Sequence, residues 1–224
     1  RCDFVGHPVV TDTIASEVEI AAWDGGGPLV MLLPGSRRGE IARLLGRFGQ
    51  AACLIALAHP NVRFALPTTA NVYDAVIAGV AEWDVPVQVL RMDQQIEKRG
   101  LFAAADVALA ASGTVSLELA ANNTPMVIAY DMAWFSRIII NWMLLVDTVT
   151  LVNLVSNSRV IPEFIGKNCV AGPIADAVLH VLDDPMAQQV AMNDTMVKLG
   201  RSGEAPGLRA AIAVLDGLAD DRRG

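Results

Sequence analysis

Short apolar runs bounded by turn residues alternate with longer stretches rich in Ala, Leu and Glu through the first part of the chain. Five apolar runs begin near Leu29, Val62, Val87, Val107 and Met126. The stretches that follow the first four predict helices, and these lie over 41–59, 72–83, 94–105 and 115–122. Because strands that alternate with helices pair in parallel, the pattern predicts an α/β fold with a Rossmann-like, doubly wound parallel sheet.

After the fifth run the pattern changes to additional C-terminal helices, predicted over 134–146, 174–183, 186–199 and 206–219. We therefore divide the chain into three parts. Residues 1–27 are assigned to the end of a preceding domain and a connector, and 28–172 to the Rossmann-like domain. Residues 173–224 are helices that pack on this domain or cross to a partner domain. The glycine-rich turn from Asp24 to Pro28 is interpreted as a flexible connector.

Two loops that follow predicted strands are built from small residues and lead into helices: Ala111-Ser112-Gly113-Thr114 and Pro34-Gly35-Ser36-Arg37. The N–H groups at a helix start point outward, at the positive end of the macrodipole, so a phosphate can bind there. Arg37 or Arg38 adds a guanidinium suited to phosphate, and Glu118 can accept hydrogen bonds from ribose hydroxyls. Since both loops lie at the same sheet edge, they predict one site for the phosphates and sugar of a nucleotide.

These loops are also compatible with other interpretations. A Ser-Gly-Thr run before a helix is also an ordinary N-cap. A dinucleotide site would need G-x-G-x-x-G after the first strand, but Gly25-Gly26-Gly27 comes before it, so NAD is not expected. The chain has neither the G-x-S-x-G spacing of a serine hydrolase nor a P-loop. We expect no cofactor and no metal ion.

Composition limits the classes of partner. The 224 residues are 53% hydrophobic, which is ample for a core. A net charge of −7 leaves no broad basic surface, so nucleic acid is not expected to bind. Cys2, Cys53 and Cys169 lie far apart without CxxC spacing, which argues against a disulfide framework or a zinc site and favours a reducing cytosol.

The segment 134–155 is the most apolar stretch, but Arg137, Asn141, Asp147 and Asn153 interrupt it, so a transmembrane helix is not expected. Its apolar cluster suits contact with acyl chains or a membrane surface. A buried helix or a subunit interface explains the same cluster equally well.

Six motifs occur in a fixed order along nearly the whole chain. They are Val5-Gly6-His7-Pro8, Leu33-Pro34-Gly35-Ser36-Arg37 with Glu40, Ala111-Ser112-Gly113-Thr114 with Glu118, Pro125-Met126-Val127, Asn153-Leu154, and Val160-Ile161-Pro162-Glu163-Phe164. As a set they resemble the C-terminal half of the lipid-A-disaccharide synthases, which are GT-B-fold glycosyltransferases of Gram-negative bacteria. Asp131 stands where that family commonly has a basic residue.

The resemblance implies an inverting hexosyltransferase whose C-terminal half binds the nucleotide sugar. The reaction would transfer 2,3-diacylglucosamine from UDP-2,3-diacylglucosamine to 2,3-diacylglucosamine 1-phosphate, giving a β-1,6 disaccharide of lipid A biosynthesis and UDP. The sheet would then be one half of a GT-B fold, with 28–172 as the UDP-sugar-binding domain. The resemblance also places the general base in an N-terminal domain, so this chain alone is expected to be inactive.

The resemblance assigns roles to particular residues. Arg37 and Asn153 are the expected catalytic residues, with Asn153 near the pyrophosphate or the donor sugar. The expected substrate-binding residues are those of the two loops, together with Glu118 and Asn153: Gly35, Ser36, Arg37, Ser112, Gly113, Thr114, Glu118 and Asn153.

The expected partners are the UDP-linked acylated glucosamine and a lipid-linked acceptor, in the cytoplasm or peripherally on the inner membrane. Contact with a membrane surface and a homodimer are left open. Two other functions are also left open: another UDP-sugar enzyme of the same fold, such as a different glycosyltransferase or a UDP-N-acetylglucosamine epimerase, and a non-catalytic nucleotide-binding module.

Overall fold

The computed structural model describes residues 2–92, 95–111, 113–131 and 147–221. Six strands form one sheet: β1 (Leu29–Leu33), β2 (Arg63–Thr68), β3 (Val87–Arg91), β4 (Val107–Ala110), β5 (Met126–Tyr130) and β6 (Glu163–Ile165). Their order is β3-β2-β1-β4-β5-β6, and every neighbouring pair is parallel. The expected doubly wound parallel sheet is confirmed, and β6 is a strand that the sequence analysis missed.

Nine helices lie in the described part of the chain: α1 (Glu17–Ala21), α2 (Arg38–Ala58), α3 (Tyr73–Val80), α4 (Gln95–Ala104), α5 (Val115–Ala121), α6 (Leu151–Ser156), α7 (Ala171–Asp183), α8 (Met186–Lys198) and α9 (Pro206–Asp221). Seven of them were predicted, with ends that agree to within about one turn. The two short helices α1 and α6 were not. The helix predicted over 134–146, with its proposed lipid or interface contact, lies outside the described residues.

Helices cover both faces of the sheet, and the side chains of β1 alternate between them. Val30 and Leu32 are buried against the layer of α2, α3 and α7, whereas Met31 is buried against the layer of α4, α5, α6 and α8. Among the described helices, α2 alone is long and apolar enough to cross a membrane. Its apolar face, which includes Phe48, is buried in the core, so packing explains that composition.

The N-terminal residues pack on this same α/β domain. The N–H of His7 donates to the carbonyl of Leu199 (3.1 Å), and α1 lies against α4. Arg99 on α4 donates to Glu19 on α1 (2.8 Å). Hydrogen bonds from Ser16, together with Arg99, lower the pKa of Glu19 to about 2. The Glu19 carboxylate therefore stays charged at pH values where a free glutamate is already protonated.

The glycine-rich connector is clamped by one arginine at the start of β2. The Arg63 guanidinium donates to the carbonyls of Trp23 (2.7 Å) and Gly27 (3.2 Å). A Cβ at Gly25 would lie 2.5 Å from a guanidinium nitrogen of Arg63. The glycines thus allow a close approach of two chain segments here, where the sequence analysis expected flexibility.

Candidate functional site: a cleft at the carboxyl edge of the sheet

The two small-residue loops leave the sheet side by side. Leu33 at the end of β1 is in register with Ala110 at the end of β4, and the next N–H, of Ala111, donates to the Leu33 carbonyl (2.8 Å). The strand order reverses between β1 and β4, because β2 and β3 lie on one side and β5 and β6 on the other. Loops diverge at such a point and leave a crevice, which is where α/β sheets bind their ligands.

A cleft of about 550 Å³ occupies this crevice. This volume is within the usual range for a small-molecule site. Six residues predicted for the site line it: Gly35, Ser36, Arg37, Gly113, Thr114 and Glu118. The structure therefore brings both loops to one cavity. Ser112 lies outside the described residues.

The first loop is held by the chain's own carboxylate. Glu40, in the first turn of α2, accepts hydrogen bonds from the N–H groups of Ser36 (3.1 Å) and Arg37 (3.3 Å). Gly35 has φ +111°, and a Cβ there would lie 2.4 Å from Glu40 Oε2. On the outer side, the Asn71 amide donates to the Ser36 carbonyl (3.0 Å). These contacts fix the loop and occupy the N–H groups of Ser36 and Arg37, so the Arg37 guanidinium is the main donor that this loop offers to an anion.

Arg37 is the arginine that lines the cleft, whereas Arg38 is not among the lining residues. The Arg37 side chain is 83% exposed, and its Nη1 donates to Glu40 Oε1 (3.2 Å). A guanidinium carries five N–H donors. The remaining donors are available to a bound anion without breaking the contact to Glu40.

The second loop turns at Gly113, whose φ of +143° is one that L side chains rarely adopt. The Ser116 hydroxyl donates back to the Gly113 carbonyl (2.9 Å) and stabilises the turn into α5. Helix α5 has only seven residues. It therefore contributes individual N–H groups rather than the dipole of a long helix, which is less than the sequence analysis assumed.

The cleft is also lined by residues that the sequence analysis did not single out. Lys98 and Phe102 on α4, Met92 after β3, and Thr68 at the end of β2 all line it. The Thr68 hydroxyl is buried and has no hydrogen-bond partner among the described residues. Lys98 donates to the Glu118 carboxylate. The helical spacing of Lys98 and Phe102, with one turn between them, was the available signal that these side chains share a face.

Residues 1–209 match the sequence pattern of the lipid-A-disaccharide synthetase family. The chain is also 51% identical to the lipid-A-disaccharide synthase of Ruegeria pomeroyi, over 97% of its own length. The chain belongs to this family. It spans 57% of the length of that relative.

Solved structures of low sequence identity share the fold. A UDP-N-acetylglucosamine 2-epimerase from Listeria monocytogenes, described as putative, superposes with a TM-score of 0.57 at 12% identity, over 97% of this chain and 53% of that one. An ADP-heptose lipopolysaccharide heptosyltransferase II from Escherichia coli gives a TM-score of 0.57 at 14% identity, over 76% and 53%. Both likenesses support the expected half of a GT-B fold.

Asn153, which the family resemblance assigns to the pyrophosphate or donor sugar, is not among the residues that line the cleft. It is 1% exposed, and its amide makes a reciprocal pair with Ile161: Nδ2 donates to the carbonyl (2.9 Å) and Oδ1 accepts from the N–H (3.0 Å). Nδ2 also lies 3.4 Å from Glu163 Oε1. Two family motifs are thus joined into one hydrogen-bonded unit.

Glu163 completes this unit by accepting hydrogen bonds from the Thr148 hydroxyl and from the N–H groups of Val149 (3.2 Å) and Thr150 (2.8 Å). Burial raises the pKa of the Glu163 carboxyl, but these hydrogen bonds outweigh burial and hold the pKa below its usual range. The carboxylate therefore anchors the chain where it enters α6.

Replacing Glu163 with glutamine is expected to lower the free energy of unfolding by about 2 kcal/mol at pH 7, because a neutral amide oxygen replaces a charged acceptor. Because the pKa of Glu163 is lower in the folded chain than in the unfolded chain, its carboxylate stabilises the fold at pH values above the unfolded-state pKa. This stabilisation is lost as the pH falls through the folded-state pKa. The difference from the unsubstituted chain should therefore shrink below about pH 4. Urea unfolding at pH 7 and below about pH 4 measures the two free energies of unfolding. The control is Glu204→Gln, at an exposed position. Equal stabilities at pH 7 would contradict it.

Asp131, at the position where the family resemblance leads us to expect a basic residue, has a partner within the chain. Its carboxylate accepts from Arg47 (2.7 Å), and its carbonyl accepts from Arg43 (3.2 Å). Both arginines lie on α2. The negative charge at this position is therefore balanced by the helix that follows the first loop.

The cysteines are separate in the structure: Cys2 is exposed, Cys53 is partly buried and Cys169 is buried. Burial raises the pKa of the Cys169 thiol. Among the residues that the structure describes, no group of three or more His, Cys, Asp or Glu side chains could hold a metal ion.

Proposed function

We propose that this chain is the donor-binding part of an enzyme that makes the lipid A disaccharide. The enzyme transfers 2,3-diacylglucosamine from UDP-2,3-diacylglucosamine to 2,3-diacylglucosamine 1-phosphate, and forms a β-1,6 linkage and UDP. One observation carries the proposal: both loops and Glu118 line the same cleft. The chain that holds this cleft belongs to the lipid-A-disaccharide synthetase family. Its position at the carboxyl edge of the sheet is that of a nucleotide site.

Arg37 supplies the chemistry on the donor side. As the bond from the anomeric carbon to UDP breaks, negative charge develops on the diphosphate. The guanidinium can donate to two phosphate oxygens through nitrogens that do not bind Glu40. Gly113 leaves room for the diphosphate to approach the backbone, because nothing lies within 4 Å of where a Cβ would be at this position. Glu118, which lines the same cleft, accepts hydrogen bonds from the ribose hydroxyls.

The remaining chemistry belongs to the part of the relatives' length that this chain does not span. The acceptor hydroxyl attacks the anomeric carbon from the face opposite UDP, and its proton passes to a carboxylate that we place in that part. This chain alone is therefore expected to bind the donor nucleotide without turnover. Asn153 enters this proposal as a residue that supports the site, because its amide is occupied by Ile161.

The acyl chains of donor and acceptor indicate where such an enzyme works. We place it in the cytoplasm, peripherally on the inner membrane, since both substrates carry lipid that a membrane surface would hold. A homodimer is compatible with this placement. Co-sedimentation of the complete protein with anionic lipid vesicles tests the membrane contact, and its full recovery in the supernatant would contradict it.

Calorimetric titration of the chain with UDP tests the donor site directly, with ADP and NAD as controls. We expect UDP to bind at least about 10-fold more tightly than either control, which corresponds to about 1.4 kcal/mol. A site formed by one half of the fold should be present without the other half. Equal binding of all three nucleotides, or binding of none, would contradict the proposed donor specificity.

A further inference from the structure

Lys98 and Glu118 form an ion pair across one wall of the cleft. The Lys98 ammonium on α4 donates to Glu118 Oε2 on α5, and it also lies 5.1 Å from the centre of the Phe102 ring. Both charged side chains are partly exposed, Lys98 at 41% and Glu118 at 34%. All three side chains line the same cavity as the two loops. The pair therefore lies where a ligand of the cleft can reach it.

The contact uses one oxygen of the carboxylate. Among the described residues, no hydrogen-bond donor is found for Glu118 Oε1, whereas Oε2 is held by the ammonium. The ring of Phe102 attracts the cation and restricts the lysine further. Because the ion pair already restricts the Glu118 side chain, this side chain loses less conformational entropy when a ligand binds.

The pair also sets the charge of the cleft. Two ion pairs line the cleft: Glu40 interacts with Arg37, and Glu118 interacts with Lys98. Without the ammonium, the wall would present an uncompensated carboxylate to an anionic ligand. The site thus combines an acceptor for hydroxyl groups with near-neutral walls.

We propose that Lys98 is a positioning residue for the ribose, because it holds Glu118 by one carboxylate oxygen and leaves the other to accept hydrogen bonds from the sugar hydroxyls. This inference rests on the proposed nucleotide function of the cleft. Lys98 acts through Glu118 and does not contact the phosphates. The pair makes the site selective for ribonucleotides over 2′-deoxyribonucleotides.

The test compares the affinities of UDP and 2′-deoxy-UDP in variants of this chain, measured by calorimetry. We expect the unsubstituted chain to prefer UDP by about 10-fold, the effect of one hydrogen bond to a charged group. Lys98→Met should reduce this preference to about 2-fold or less, and Lys98→Arg should restore most of it. Glu118→Met, which has no oxygen to accept the hydrogen bond, should remove it, and adding Lys98→Met to that variant should change the preference no further.

The matched control is Lys198→Met, which removes a lysine of similar exposure from an ion pair with Asp194 on α8, away from the cleft. Its preference for UDP should equal that of the unsubstituted chain. The melting temperature of each variant is measured alongside, so that a folding defect is seen separately.

An unchanged ratio of the two affinities in Lys98→Met would overturn the role of Lys98 alone. Titration with uridine then identifies the cause: if both nucleotide affinities fall equally while the affinity for uridine is retained, Lys98 contacts the phosphates directly. Failure of the unsubstituted chain to bind UDP would instead contradict the donor site itself, and the role of Lys98 with it.

Discussion

Replacing Arg37 with alanine is expected to lower the rate of disaccharide formation by about 10²-fold or more. The change is made in a protein that joins this chain to the part of its relatives that it does not span. Arg37 is the guanidinium that lines the cleft, and it loses one donor to Glu40. Its removal leaves the charge that develops on the departing diphosphate without a cation beside the first loop. The measurement is kcat for product formation from the two acylated substrates.

The neighbouring arginine provides the control. Arg38 is exposed at the start of α2 and does not line the cleft, so Arg38→Ala removes the same charge from the same loop region with little expected change in kcat. Arg37→Lys should recover only part of the rate, because an ammonium cannot bind two phosphate oxygens in a fixed fork. A rate for Arg37→Ala within about 3-fold of the unsubstituted enzyme would rule out the proposed role.

Replacing Asn153 with alanine is expected to lower the free energy of unfolding by about 3 kcal/mol, because it leaves the buried N–H and carbonyl of Ile161 without their partners. For a chain of this size the melting temperature should fall by about 10 °C. Thermal unfolding of the chain, with and without UDP, is the measurement. The exposed Asn168→Ala is the control, since no side-chain hydrogen bond is found for Asn168 among the described residues.

The same variant separates two roles for Asn153. If Asn153 has a structural role, the variant should be less stable. Its affinity for UDP should then be within about 2-fold of that of the unsubstituted chain, once the folded fraction is taken into account. A residue that touches the diphosphate predicts the reverse: unchanged melting and weakened binding. Unchanged melting would therefore contradict the support role, and would favour the placement that the family resemblance gives.

The fold was predictable because its signals are local. Each of the first five strands is an apolar run with turn residues at its ends. The helices between these runs predict that the strands pair in parallel. β6 has three partly buried residues after Pro162, too few for a recognisable pattern. α1 is equally short, but its start carries a recognisable signature: Ser16 followed three residues later by Glu19, which form a capping box.

The site was predictable where the chain itself supplies the constraint. Gly35 and Gly113 adopt backbone angles that side chains disfavour, so small-residue loops after strands identify them. The partners that come from other elements were missed. Lys98 reaches Glu118 from a different helix, and Glu163 reaches back across a loop to Thr150. Such contacts depend on how elements pack, which spacing along one segment does not reveal.

Two adjacent residues of α4 are tied in different directions. Lys98 forms an ion pair with Glu118 in the cleft, whereas Arg99 forms an ion pair with Glu19 on α1. A single helical turn therefore connects the cleft to α1. A displacement of α1 must either break the ion pair between Glu19 and Arg99 or move this turn, and with it the Lys98 ammonium in the cleft. The position of α1 and the position of the Lys98 ammonium are therefore coupled through this turn of α4.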